Sequence, residues 1–415
     1  MESKQPNRRR FLKGSAALVG LAAVGSASAQ TPAAAPAPAA FIKGSEEQIA
    51  YGQRSRFETS VRTSHGGRKS PDAFGLVMHV ATPLQDSVGV ITPSALHYVA
   101  TTRGAFIPDI DPKEHRLMIH GMVDRPLTFT MEDLKRLPSV TRLHFVECAA
   151  NRPSATAKTI QDSHGMTSCA EWTGVLLSTL LKEAGVQSGS SWIVAEGSEE
   201  VKGASSIPME KAMNDCIVAY GMNGEAVRPQ QGYPLRLLVP GFEGIFNVKW
   251  LRRIKAVDQY YMTYNDFGHL RQEPENAALG YQIGPKSVIT FPCVGKQLPG
   301  KGFYEISGLA WSGGGAIRRV EVSTNGGRSW TDAEIRGTAQ RMAHTRFSLT
   351  WNWDGTETAL LSRCTDEMGK IQPTRAQVAE FFKVPLVPTY RAPGQDNTIQ
   401  TWKIASDGSV HNAYS

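Results

Sequence analysis

The chain is sparing with the residues that announce covalent chemistry. Its 415 residues hold five cysteines, at positions 148, 169, 216, 293 and 364, and no two are spaced as Cys-x-x-Cys. That excludes a covalently attached c-type haem and a zinc ribbon within this chain. The count is odd and the spacing irregular, which speaks against a disulfide framework and leaves at least one thiol over. Outside the N-terminus there is no block of Lys or Arg, although the formal net charge is +7. Nucleic acid is therefore not an expected partner, and arginines set singly among apolar residues suit an anionic small molecule or an acidic protein better. No apolar run is long enough to cross a bilayer as a helix, so no membrane insertion is expected. No His/Asp pair stands out as an acid–base couple.

What is present begins at the N-terminus. "RRRFLKG" precedes "SAALVGLAAVGSASAQ". A basic segment, a short apolar stretch and a small-residue site ending at Ala29 read as a cleavable signal peptide over residues 1–29. Arg8 and Arg9, followed by Phe11, Leu12 and Lys13, match the twin-arginine pattern, which predicts export to the periplasm in the folded state. The Ala/Pro tract "PAAAPAPAA" opens a linker and irregular arm over residues 30–80. The length that remains predicts two domains. Residues 81–283 mix strand-like runs ("HRLMIHGMV", "RLHFVEC", "SWIVAEG", "YPLRLLVPG") with short helical patterns. "TMEDLKRLPS" has a capping-type Thr130, and "WTGVLLSTLLKEAGV" carries Leu176, Leu177, Leu180 and Leu181 before Gly185. From residue 284 to 415 apolar positions alternate between Gly-rich turns such as "TNGGRSW", the texture of an immunoglobulin-type sandwich. The fold class is thus α+β: a mixed α/β domain followed by an all-β sandwich.

One cysteine calls for explanation. In "HFVECAANRPS", Cys148 ends an apolar strand and is followed by Ala149, Ala150, Asn151 and Arg152. A strand end can present a thiolate from a rigid base, small neighbours leave room for a bulky group, and a nearby arginine favours the thiolate form. Residue chemistry alone also permits a buried, inert thiol. Trp172 and Trp250 read as core packing, and His144, His164 and His269 as structural.

"ECAANR" resembles the segment of the sulfite-oxidase family whose cysteine binds molybdenum. "ITPSALHYVATTRGAFIPDIDPKEHRLMIHGMV" upstream, and "EWTGVLLSTLLKEAGV", "GASSIPMEKAMNDCIVAYGMNGEAV", "GYPLRLLVPGFEGIFNVKWLRRI", "WNWDG" and "SRCTDEMGKIQP" downstream, resemble that family in the same order. "DSHGMTSCAEWTGV" is similar to its bacterial periplasmic branch, the SoxC-type sulfane dehydrogenase subunits and related sulfite dehydrogenases. The resemblance implies a molybdopterin domain with Cys148 as the thiolate ligand of molybdenum, followed by a dimerisation domain. It implies that Arg103 lies near both cofactor and substrate, that Glu199, Gln231 and Arg236 contact the cofactor, and that Asn247, Val248 and Lys249 form a phosphate-binding turn. Arg103 and Arg152 would orient an anionic substrate, and Tyr264, or Phe267 in its place, would stand where the family has an active-site tyrosine.

Departures from the family pattern bear on the substrate. Arg152 is followed by Pro153 where a second arginine is usual, Gln231 stands in place of a histidine, and "RGA" at 103–105 lacks another. A less charged pocket fits sulfane sulfur on a carrier protein somewhat better than sulfite. The implied activity is oxo transfer to a reduced sulfur compound, with electrons leaving to a c-type cytochrome and the chain working as a homodimer or in complex with a cytochrome subunit. Two other readings are a periplasmic methionine-sulfoxide-type molybdopterin reductase and a non-enzymatic exported β-sandwich binding module.

Overall fold

Alternation sets the strand Arg116–Gly121, in which Leu117 and Ile119 are buried while Arg116 and Met118 face out. A computed structural model describes residues 52, 54–55, 57–65, 68–69, 76–101, 107–198, 203–263, 281–381, 383 and 395–414. Arg116–Gly121 belongs to a five-stranded sheet ordered Ala204–Pro208, Trp192–Gly197, Leu251–Val257, Arg116–Gly121, Leu127–Thr130. Within it only Leu251–Val257 and Arg116–Gly121 run parallel. The helix Met131–Arg136 starts where the sequence places it. Thr130 Oγ1 accepts from the amide of Asp133 at 3.0 Å, and Asp133 Oδ2 accepts from the amide of Thr130 at 2.9 Å. Such a reciprocal cap stabilises a helix start by about 1 kcal/mol.

The second helix is shorter than its leucine pattern suggests. Leu176 is the last residue of the strand Thr167–Leu176, opposite Ile217, and the helix occupies Leu177–Ala184. Leu177, Leu180 and Leu181 are fully buried, worth roughly 1.5–3 kcal/mol each. The helix ends at Gly185, whose φ of 68° is left-handed; a Cβ there would also lie 2.7 Å from Asp124 Oδ2.

A second sheet carries the cysteine. Its order is Glu225–Ala226, Ile217–Met222, Thr167–Leu176, Ser139–Glu147, with Arg236–Leu238 also paired to Ile217–Met222. Ser139–Glu147 pairs residue by residue with its neighbour, ending at Glu147 opposite Thr167. The arm expected to be irregular contributes strands instead. Leu76–Ala81 pairs with Thr63–Ser64, Arg68–Lys69 and Val99–Thr101. Its apolar run Leu76, Val77, Met78, Val80 and Ala81 closes a stretch that is otherwise polar, and the ladder of its partners orders it.

From Lys286 onward the chain forms two facing sheets. One is ordered Lys286–Phe291, Gly302–Trp311, Thr345–Trp353, Glu334–Arg336; the other Thr331–Asp332, Ile317–Ser323, Thr358–Asp366, Thr401–Ile404, Val410–Asn412. The "TNGGRSW" turn joins Ile317–Ser323 to Thr331–Asp332 through Gly326 and Gly327, both at positive φ. Trp311, Phe347 and Trp402 are fully buried, in one cluster with Leu84, Phe145, Ile160 and Cys169 from the first half. Hydrogen bonds cross the same seam: Phe145 N to Met342 O, Arg346 to Ser87 O and Gly89 O, and Asn412 Nδ2 to Ser154 O and Ala157 O. Among the described residues no helix is long and apolar enough to cross a membrane.

Candidate active site

The strand Ser139–Glu147 delivers Cys148 to a tight turn. Cys148 N continues the ladder by donating to Met166 O at 3.0 Å, and Asn151 N closes the turn onto Cys148 O at 2.9 Å. Asn151 Oδ1 then accepts from Met166 N at 3.0 Å, while Arg152 N donates to Ser163 O at the end of the helix Ile160–His164. Four residues are thus pinned on two sides. The Cys148 side chain is half-buried, and its thiol is unpaired, as are those of the four buried cysteines.

Burial is the largest influence on Cys148. It pushes the thiol up to about 12, with Glu243 and Glu147 adding to the rise and the Ala150 backbone and Arg152 opposing it. The expectation that a neighbouring arginine keeps the thiolate is therefore outweighed by desolvation. Arg152 Nε and Nη2 turn back onto Ala149 O, at 3.1 and 2.7 Å. In the protein alone the thiol stays protonated at neutral pH. A bound metal cation reverses that, because a coordinating thiol is deprotonated outright.

Tyr98 links the cysteine turn to the residues expected to hold a cofactor. Its phenol is buried, and both burial and the neighbouring Cys148 push its pKa well up. Gly244 fits between the two: a Cβ there would lie 2.7 Å from Tyr98 Oη and 2.9 Å from Glu147 O. Tyr98 O accepts from Gln231 Nε2 at 2.7 Å, and Gln231 O accepts from Arg236 Nη1 at 3.1 Å. Arg236 Nη2 reaches Asn247 O at 3.2 Å, and its guanidinium lies 4.8 Å above the Trp172 ring. Burial lowers the Arg236 pKa to about 10, so it remains a cation at neutral pH.

The phosphate turn expected at 247–249 is reached from the same side. Asn247 spends its side chain on its own loop, accepting from Val239 N at 2.8 Å and donating to Glu243 O at 3.1 Å. Val248 N donates to Phe246 O and Val248 O accepts from Leu237 N, so Val248 contributes packing and backbone order. Lys249 Nζ donates to Ala100 O and Gln230 O and lies 4.4 Å from the Trp250 ring centroid. Trp250 has a φ of 52°, strained for a tryptophan. Trp172 and Trp250 are buried, as a core reading requires, yet each lies under a cation of this site.

The structure therefore joins Cys148, Arg152, Gln231, Arg236, Asn247, Val248 and Lys249 through one set of contacts. Arg103, Glu199, Tyr264, Phe267 and His269 lie outside the described residues. His144 and His164 are buried, with burial holding His144 down to about 4 and His164 well below its usual value. Reading the sequence missed Tyr98 and Gly244, neither of which carried a local signal. Asn151, expected from the sequence as a hydrogen-bonding neighbour of Cys148, closes the cysteine turn.

Two donors suit a polar, anionic cofactor. Asn151 Nδ2 and Arg236 Nε are buried without a hydrogen-bond partner, and each such group costs about 1–3 kcal/mol until it finds one. Among the described residues no three His, Cys, Asp or Glu side chains gather as a metal site. A soft thiolate such as Cys148 suits a metal whose other ligands are the sulfurs of an organic group, as a dithiolene provides.

Comparison with known proteins agrees. Residues 104–265 match the oxidoreductase molybdopterin binding domain, and residues 278–382 match the Mo-co oxidoreductase dimerisation domain. The solved structure of the sulfane dehydrogenase SoxCD from Paracoccus pantotrophus is similar at 37% identity and a TM-score of 0.81, over 90% of this chain and 96% of that one. The chain belongs to the sulfite-oxidase family of molybdopterin oxidoreductases. Nitrate reductases from Solanum lycopersicum and Arabidopsis thaliana are each 34% identical over 304 residues, 64% of this chain. The chain spans about a third of the length of these curated relatives, 33% in each case. Membership in the family makes molybdopterin the cofactor and places the sandwich as its dimerisation domain.

Proposed function

We propose that this molybdopterin enzyme oxidises a reduced sulfur compound, sulfite or a sulfane sulfur held on a carrier protein, and passes the electrons to a c-type cytochrome. The reading places it in the periplasm after twin-arginine export, as a homodimer or in complex with a cytochrome subunit. The likeness to sulfane dehydrogenase, over 90% of the chain, carries the proposal; the nitrate reductases match over 64%. The matched dimerisation domain tells against the sulfoxide-reductase reading and the Mo-binding domain against a non-enzymatic module.

When bound, the cofactor supplies two-electron oxo transfer. Cys148 would hold the metal, giving up its thiol proton on binding. Gln231, Arg236 and Lys249 would face the polar ring and phosphate of the pterin, with Asn247 and Val248 shaping the turn. Tyr98 packs in one apolar cluster with the cysteine, and Gly244 leaves the space that a side chain would take from both Tyr98 and Glu147. By the family resemblance, Arg103 would grip the substrate anion and Tyr264 would serve as the active-site tyrosine. Arg152, whose Nε and Nη2 are held against Ala149 O, adds positive potential beside the cysteine and keeps Nη1 for a substrate anion.

A substrate panel on the holoenzyme tests this: sulfite, thiosulfate, a carrier-bound persulfide, nitrate and methionine sulfoxide, with cytochrome c as acceptor or reduced viologen as donor. Oxidation of a sulfur substrate is expected; turnover confined to nitrate or sulfoxide reduction would sink the proposal. Pro153→Arg is expected to lower the Michaelis constant for sulfite, and an unchanged or higher value counts against the pocket argument.

A further inference from the structure

Behind the cysteine turn lies a second constellation that nothing above uses. Glu147, the residue before Cys148, is 1% exposed, as is Lys286, and Trp311 is fully buried. Lys286 Nζ donates to Glu147 Oε1 at 2.5 Å and to Asn151 O at 2.6 Å, and the Trp311 indole N–H donates to Glu147 Oε2. Lys286 and Trp311 face each other as cross-strand partners in the sandwich, on Lys286–Phe291 and Gly302–Trp311. One rung of the second half thus seizes the first half at residues 147 and 151, the two sides of the turn that carries Cys148.

Stability alone does not account for such a pair. Taking two charges out of water costs more than their attraction commonly returns, and apolar residues of the same volume often serve a fold as well or better. Position accounts for it. The ammonium holds both the carboxylate before the cysteine and the carbonyl three residues after it, so the turn cannot rotate about its ends. It also cancels the buried negative charge of Glu147, next to a ligand that must coexist with anionic sulfurs. Groups behind a metal's ligand orient it and tune the metal.

We propose that Lys286, Glu147 and Trp311 are positioning residues: a clamp from the dimerisation domain that sets where the Cys148 sulfur stands. The clamp rests on the reading of Cys148 as the metal ligand, and the two fail separately. If partly reduced holoenzyme of Cys148→Ser keeps the wild-type molybdenum(V) EPR signal, the ligand reading fails. The clamp is tested with Lys286→Met, Trp311→Phe and the double variant Glu147→Gln with Lys286→Met, each followed by molybdenum content, molybdenum(V) g values and the split between kcat and KM. Lys286→Met is expected to lose molybdenum and, in the loaded fraction, to show displaced g values and a kcat lowered by roughly ten- to a hundredfold with KM unchanged. Trp311→Phe, which removes one N–H from the carboxylate, is expected to move the same signals less and remains informative where Lys286→Met fails to fold. The double variant should regain molybdenum content, since no charge is left unpaired, while its g values stay displaced because Asn151 O has lost its partner. Loaded Lys286→Met and Trp311→Phe with wild-type g values and kcat would overturn the clamp. So would a double variant that binds no more molybdenum than Lys286→Met.

Discussion

Arg319, Arg336, Arg363 and Lys403 of the sandwich each lie within hydrogen-bonding reach of a carboxylate, on Asp332, Glu305, Glu321 and Glu357 respectively. Around the cysteine turn the cations are placed differently. Arg152, Arg236 and Lys249 donate to backbone carbonyls, and among the described residues Arg236 has no carboxylate partner. Carbonyls hold a guanidinium in place without neutralising it. The sandwich uses its carboxylates to quiet its own surface, while Arg236 keeps its charge standing where an anionic cofactor can meet it.

The sharpest way to break this contrast is at the cysteine. Cys148→Ser should keep the fold and cut turnover by more than about a hundredfold, beyond the range of residues that only support a ligand; steady-state assays with matched protein content decide it. Next is Arg236→Gln, which removes the cation and keeps a hydrogen-bonding side chain. Molybdenum affinity is expected to fall by roughly tenfold, with circular dichroism unchanged. An unchanged molybdenum content would mean that the unneutralised charge serves folding alone.

Acid should expose the seam between the halves. His344 is buried, and burial lowers its pKa to about 3; it bonds to Thr167 across the seam. His97, in the first half, is likewise held to about 3. A histidine neutral in the fold and titrating at 6.5 when unfolded binds its proton only in the unfolded state. Stability is therefore full above pH 6.5 and declines as pH falls toward 3, by up to about 1.4 kcal/mol per pH unit for each such histidine. Thermal melting from pH 7 to 4 should show the slope, and His344→Gln should flatten it. The smallest effect is expected in the sandwich surface: Lys403→Ala breaks the exposed pair with Glu357 and should cost at most about 1 kcal/mol, with no change in molybdenum content.

Much of the fold was legible because local signals coincide with tertiary ones. The Thr130 cap, the Gly185 stop and the "TNGGRSW" turn are each written in a few adjacent residues, and each stands where it was expected. Cys148 at a strand end followed by small residues was legible for the same reason. The arm strand Leu76–Ala81 was not, since its order depends on partners as distant as Thr101, opposite Met78. The thiol's state was not either, because burial is a property of the assembled core and outweighs the charge seen in sequence. Lys286 was the hardest to see. In "KSVITF" it reads as a polar residue before an apolar strand, and its partner Glu147 lies 139 residues away.

The seam has a practical corollary for anyone who would treat the two matched regions as interchangeable parts. Backbone of the segment holding the cysteine is gripped at residue 145 by Met342 and at residues 154 and 157 by Asn412. A chimaera that grafts a relative's C-terminal half onto this N-terminal half must match these grips as well as the domain border. Recombination between such genes should then succeed only when both halves travel together.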